Sequence, residues 1–325
     1  EACYFNIDEA RLRKIAETAR GMGIRLMVVD DGWFGHRERA DSSLGDWFPC
    51  ETKFPKGFEP LRSFPLPLGI WLEPEMISPD SELHPDWCLH AEGRVRTEWR
   101  NQLVLDMSRK EVQDYLIACV DSVLSTGIFT YVKWDNNRRM TQVQSEAWPA
   151  AQQGEVFHRC MLGTYRLFEH IRSCYPQVLI ENCASGGGRY DYGMLCYCAQ
   201  GWLTDNTDPV DRLTQQNAAS ILFPPEVITS HIAASPNHQT KRYACETAAG
   251  CVRSVQCGLR AGCDGAERRR EARHDGSGGA VSRYAAPCGA RLFYAPESVR
   301  RSGKVVRLDG GGRRTGSGRL FPPAL

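Results

Sequence analysis

With 325 residues, 42% of them apolar, and a net charge of +1, the chain can build one large or two small domains around a sizeable core, and its balance suggests no polyanionic partner. The charge is unevenly spread: residues 241–325 hold 15 Arg and 2 Lys against 7 acids, a net of +10, which leaves residues 1–240 at −9. No apolar run approaches the ~18 residues of a membrane span, no secretory leader is visible, and the 14 cysteines follow no metal-ligand spacing. Scattered thiols inside apolar runs point to a reducing, cytoplasmic setting rather than a disulfide framework.

Residues 7–22 read as an amphipathic helix. Leu12, Ile15, Ala16 and Ala19 form its stripe, Asp8 and Glu9 sit at its start, and Gly23 stops it. Residues 25–29 form a strand that runs into Asp30-Asp31-Gly32-Trp33-Phe34. Adjacent carboxylates repel unless something binds between them, so Asp30 and Asp31 are either solvated loop acids or a clamp for sugar hydroxyls. Residues 35–66 are loop-like. Leu68–Leu72 is the next strand, ending in Glu73-Pro74-Glu75-Met76, and residues 101–106 read as another. Residues 111–124 are helical, with Val112, Tyr115, Leu116, Cys119 and Val123 on one face. The strand at 128–132 leads into Lys133-Trp134-Asp135-Asn136-Asn137-Arg138. A helix at 157–171, a strand at 178–183, a polar cluster at 201–208, a helix at 212–222 and a strand at 227–231 complete the series.

Strands thus alternate with helices, and a polar cluster follows each strand. That pattern implies a parallel sheet. Seven strand candidates in about 230 residues suit a (β/α)8 TIM barrel, with a doubly wound open sheet as the alternative. Asp135 and Asp205 each stand past a strand end beside a tryptophan, Trp134 and Trp202. Two carboxylates facing one another across a mouth are what glycoside hydrolysis needs. Lys133 should keep Asp135 ionised, which suits a nucleophile. Core or rim packing is the ordinary alternative for each tryptophan. Gly186-Gly187-Gly188 lacks the Lys-Ser/Thr of a phosphate loop.

Six segments in one order resemble the α-galactosidases of glycoside hydrolase family 36. They are Asp30-Asp31-Gly32-Trp33-Phe34, Trp71-Leu72-Glu73-Pro74-Glu75-Met76, Arg100-Asn101-Gln102-Leu103-Val104-Leu105, Lys133 through Arg138, Cys183-Ala184-Ser185-Gly186-Gly187-Gly188, and Trp202-Leu203-Thr204-Asp205-Asn206-Thr207-Asp208. The resemblance implies a (β/α)8 barrel and a retaining exo-α-galactosidase acting on melibiose- and raffinose-type sugars, without metal or cofactor. It places the nucleophile on Asp135 and the acid/base on Asp205, with the two carboxyls about 5–6 Å apart. Asp30 and Asp31 would take O4 and O6 of galactose. Trp71, Arg100, Lys133, Asn137, Cys183, Gly186 and Trp202 would line the rest of the subsite. A galactosyl-transferring relative of the raffinose-synthase kind, or a non-catalytic galactoside-binding barrel, are the alternatives. Neither nucleic acid nor membrane is implied as a partner, and a homo-oligomer is implied for whole family members.

The family pattern also carries a β-sandwich and a first barrel strand before the residue matching Glu1, and a full helix where residues 58–66 are short and flanked by Pro65 and Pro67. The resemblance divides the chain at residue 240. Residues 1–240 are the expected barrel. Residues 241–325, with 14 Gly and 15 Arg in 85 positions and no sustained period, are expected to be irregular, with at most a local pairing of a short piece such as residues 290–294, and to form no sheet, as disordered sequence or a coding frame read out of register would be.

Overall fold

A computed structural model describes residues 3–83 and 85–233, and beyond them Cys257–Arg260 and Arg291–Phe293. The first helix, α1 (Glu9–Gly21), forms where its stripe predicts. The Asp8 side chain accepts from the Arg11 backbone N–H at 2.8 Å, which satisfies one of the free donors of the first turn. Leu12, Ile15, Ala16 and Ala19 are fully buried. Each large apolar side chain so buried contributes about 1.5–3 kcal/mol.

The chain then lays down β1 (Leu26–Val29) and β2 (Leu68–Leu72). A short excursion follows, β3 (Met76–Ile77) and β4 (Leu103–Val104), before α2 (Lys110–Leu124) and β5 (Phe129–Trp134). Next come α3 (Val156–Cys174), β6 (Leu179–Asn182), α4 (Tyr192–Leu195), β7 (Gln200–Trp202), α5 (Pro209–Leu222), β8 (Ile228–Ala233), β9 (Cys257–Arg260) and β10 (Arg291–Phe293). The strands β1, β2, β5, β6, β7, β8 and β9 run parallel in that order around a curled sheet, and β10 closes it between β9 and β1, antiparallel to both.

Two expectations need correction. Residues 101–106 are not a barrel strand: β4 pairs antiparallel with β3 in a separate two-stranded sheet, and the barrel passes from β2 directly to β5. Residues 241–325 were expected to form no sheet, yet β9 and β10 fall there and complete the barrel wall. The rest of that segment lies outside the described residues, as do Glu1 and His84. The short stretch at 58–66 holds one 3-10 turn, Glu59–Ser63, with Leu61 buried beneath it.

Side-chain alternation divides β5 between two environments. Val132 and Trp134 point to the helix layer, where the Trp134 ring meets Phe168 of α3 edge-on at 4.8 Å. Tyr131 points inward, beside Leu26, Val28, Cys183 and Trp202. A register shift between Leu68 and Gly69 skips Thr130, so Phe129 faces outward and packs on Phe58 at 5.0 Å. Gly69 leaves room for Tyr131, because a Cβ there would lie 2.9 Å from the Tyr131 Cβ.

Cutting the chain at Lys241 removes β9 and β10 and leaves β1 and β8 as open edges. Truncation is therefore expected to lower the thermal midpoint by roughly 10 °C or more and to promote self-association. An unchanged midpoint by calorimetry would show that the two strands carry no stability.

Candidate active site at the rim of the parallel strands

The inward series on each strand continues past the strand end, so the next polar residues arrive at one rim. Asp30 follows β1, Glu73 follows β2, Asp135 follows β5, Cys183 and Ser185 follow β6, and Asp205 follows β7. The ladder itself extends there: the Asp135 N–H donates to Leu72 O at 2.8 Å, and the Cys183 N–H donates to Trp134 O at 2.7 Å. A side chain fixed by strand hydrogen bonds keeps its direction better than one on a free loop.

Asp135 is buried. The Trp71 indole Nε1–H donates to its Oδ2 at 3.1 Å, and the Asn136 and Ser185 backbone N–H groups donate to its Oδ1 at 2.9 and 3.4 Å. Three donors thus converge on this one carboxyl group and fix its orientation. Across the rim, the Trp202 Nε1–H donates to Asp205 Oδ1 at 2.8 Å. Both tryptophans are almost wholly buried, 2% and 1% exposed, so their present contribution is an N–H aimed at a carboxylate. Trp71 is itself wedged by an aromatic block from the loop after β1. Trp33 Nε1–H donates to Trp71 O at 2.8 Å, and Phe34 stacks on the Trp71 ring at 6.1 Å.

Lys133 is buried near the end of β5, two residues before Asp135. Within ion-pair distance it meets Asp30, at 3.7 Å, and it interacts with Asp135 from farther off. Its ammonium also lies 5.4 Å from the Trp202 ring. Burial alone would lower its pKa, but the negative potential of Asp30 first, with Asp135, outweighs that and keeps it charged. Asp31 is held differently. Buried Arg37 clamps both of its oxygens at 2.9 Å while also donating to Ala40 O and Ser42 O. Burial raises the Asp31 pKa, and Arg37 opposes it. Arg37 was absent from the sequence reading.

The β3–β4 excursion brings Arg100 to the same rim. Arg100 and Asn101 both take positive φ, 56° and 55°, a strained pair that reverses the chain before β4. Arg100 Nη1 donates to Ser185 Oγ at 2.9 Å and reaches Asn137 O and Oδ1 at 3.4 Å. Asn137, Ser185 and Arg100 thus form one linked edge. Gly186 is required by its backbone: φ is +86°, and a Cβ would lie 2.9 Å from Thr204 Cα and 3.0 Å from Asp205 N. Gly186→Ala should push the Asp205 segment outward. The expected result is a loss of about 100-fold in kcat/KM with a fold still intact by circular dichroism; a variant within threefold of wild type would show that this approach is not needed.

Three further acids surround the site. Glu75 is gripped by Arg189 at 2.9–3.0 Å, by the Trp134 Nε1–H at 2.8 Å and by the Thr164 hydroxyl at 2.9 Å. Burial pushes up its pKa, but Arg189 and these donors overcome it and hold the carboxyl below its ordinary value. Glu181, level with Lys133 on the adjacent strand, is raised to about 7 by burial against the pull of Lys133. Glu73 is raised to about 8 by burial and by the charge of Asp135. Burial, then the Asp135 charge, drives the Cys183 pKa far up, so it stays a thiol and is not an activated nucleophile. Sequence reading had missed these acids; each is one more Glu in a strand-end motif until the fold buries it.

The melibiase family model matches residues 1–259. The match runs past Lys241 and takes in most of β9, which corrects the expected end of the resemblance. Alpha-galactosidase AgaA of Geobacillus stearothermophilus is 49% identical over 251 residues, 75% of this chain and 34% of the relative. Alpha-galactosidase C of Emericella nidulans is 44% identical over 260 residues, 74% of this chain and 34% of the relative. The crystal structure of a Geobacillus stearothermophilus AgaA variant in complex with raffinose superposes with a TM-score of 0.74 at 46% identity, over 76% of this chain and 36% of that one. The chain spans about a third of the length of these relatives.

Proposed function

The chain belongs to the melibiase family of glycoside hydrolase family 36, and from that premise we propose that it is a retaining exo-α-galactosidase acting on terminal α-galactosyl groups of raffinose-type sugars. The observation that carries the reading is the pair of strand-end carboxylates, Asp135 and Asp205, each oriented by its own buried indole N–H. AgaA variants crystallised with raffinose and with stachyose support the substrate class. We also propose that the parallel strands are the core of a (β/α)8 catalytic domain, preceded in the whole protein by the family's β-sandwich.

In this reading Asp135, ionised, attacks the anomeric carbon while Asp205 gives its proton to the departing glycosidic oxygen. A covalent galactosyl ester forms and the aglycone leaves as an alcohol. Asp205, now a carboxylate, takes a proton from water, which attacks the ester carbon and frees Asp135. Asp30 and Asp31 are the acceptors for O4 and O6, positioned by Lys133 and Arg37. Arg100, Asn137, Cys183 and the Gly186 backbone line the ring. A reducing, cytoplasmic location is proposed with it, supported by buried free thiols such as Cys50, Cys88, Cys160, Cys183 and Cys198; α-galactosidase activity confined to an exported fraction of the source cell would contradict that location.

The deciding experiment is proton NMR of raffinose hydrolysis. α-Galactose as the first product anomer is expected. β-Galactose first would overturn retention. Transfer of galactose to sugar in place of release to water would favour the transferase relative, and binding without turnover the non-catalytic barrel.

A further inference from the structure

We propose that Glu73 is a positioning residue for the reaction and that it works as an uncharged carboxylic acid, holding the turn that carries Asp135 and Asn137. The proposal rests on the galactosidase reading and adds a residue to it. Glu73 follows β2 directly and is 1% exposed. Its Oε1 accepts the Asn137 backbone N–H, and its Oε2 faces the Gln102 side-chain amide at 3.4 Å. One carboxyl therefore ties together the ends of β2 and β5 and the segment leading into β4. Asn137 in turn meets Arg100 and Ser185, so the tie reaches the linked edge of the site.

The rim cations are turned elsewhere. Lys133 meets Asp30, Arg37 clamps Asp31, Arg189 grips Glu75, and Arg100 faces Ser185 and Asn137. The titratable groups that act on Glu73 are Asp135 after β5 and Asp31 after β1; β4's approach offers the neutral amide of Gln102. A buried carboxylate beside two others, with no cation paired to it among the described residues, does better neutral. The Gln102 side-chain oxygen is buried and meets no donor among the described residues; with the amide turned over it takes the nitrogen's place 3.4 Å from Glu73 Oε2 and accepts the acid's proton. Burial first, then the Asp135 charge, lifts the group to about 8, and the Asn137 bond pulls it back only in part. Above that pH, Glu73 ionises, repels Asp135 and drives the turn out of line.

The test compares Glu73→Gln and Glu73→Ala across pH 5–10 on p-nitrophenyl α-galactoside. Gln keeps the acceptor oxygen and cannot ionise. It should retain at least about a third of kcat at pH 7 and lose less activity than wild type above pH 8. Ala should lose about 100-fold in kcat with a smaller change in KM. A Gln variant as impaired as Ala, with the wild-type alkaline limb, would overturn the proposal. A second readout needs no turnover: carbon-13 NMR of the glutamate carboxyls, with the Glu73 signal assigned by its loss in Glu73→Gln. A midpoint near 8 supports the neutral acid, and one near 4.5 overturns it. A wild-type chain that folds but hydrolyses nothing would instead count against the galactosidase reading, and the NMR midpoint would still decide Glu73.

Discussion

Asp135→Ala is expected to lower turnover of an activated aryl α-galactoside by roughly 10⁴-fold or more, and added azide is expected to restore it with release of β-galactosyl azide. The reasoning starts from the strand. Tyr131, Lys133 and Asp135 share the inner face of β5, and the Asp135 N–H continues the ladder to Leu72. The carboxylate is therefore fixed in direction, and the indole N–H of Trp71 holds one of its oxygens. Removing it leaves space where a small anion can enter from the same side and attack the anomeric carbon once, inverting it. The deletion also orphans the Trp71 N–H, at a cost of about 1–3 kcal/mol, so the thermal midpoint must be measured alongside. A folded variant that keeps more than about a tenth of wild-type turnover would remove Asp135 from the role of nucleophile.

The motif residues around Asp135 were legible because β2, β5 and β6 are short apolar runs ending abruptly in polar groups. A parallel strand buried on both faces has to look that way. The same signal misled at residues 101–106. Leu103, Val104 and Leu105 are as apolar and buried as a barrel strand, and only the left-handed pair Arg100 and Asn101 turns them away to β3. Nothing in an Arg-Asn dipeptide announces that geometry. The strand β9, and the place of β10 in the barrel rather than in a merely local pairing of residues 290–294, were illegible for another reason. They are four and three residues long, below the length at which a period of two can be read, and they sit among Gly and Arg. In the site, residue types were read more readily than pairings. Lys133 was read with the nearest acid in sequence, Asp135, with which it interacts, but its ion-pair partner, Asp30, comes from the end of β1, on the far side of β2. Arg37 and Glu73 were missed because their importance is burial beside a carboxylate, a property of the fold and not of the local string.

Asp205 should show a different signature, one that separates acid/base work from nucleophilic attack. Asp205→Asn keeps the side chain's shape and its acceptance from the Trp202 N–H but has no proton to give. The sucrose expelled from raffinose is a poor alkoxide leaving group and needs that proton, so kcat/KM for raffinose should fall by about 10³–10⁴-fold. A nitrophenolate leaves without help, so the first step on the aryl substrate should be far less affected. The galactosyl ester on Asp135 would then accumulate, since no base remains to activate water, and a burst of nitrophenolate should precede a slow steady state. Azide needs no base. It should attack the ester from the Asp205 side, where the alanine or asparagine no longer repels an anion, and give α-galactosyl azide. The two variants are thus expected to yield opposite azide anomers from one substrate, β from Asp135→Ala and α from Asp205→Asn. The same anomer from both, or an equal loss on raffinose and on the aryl galactoside, would show that the two carboxylates do not divide the work in this way.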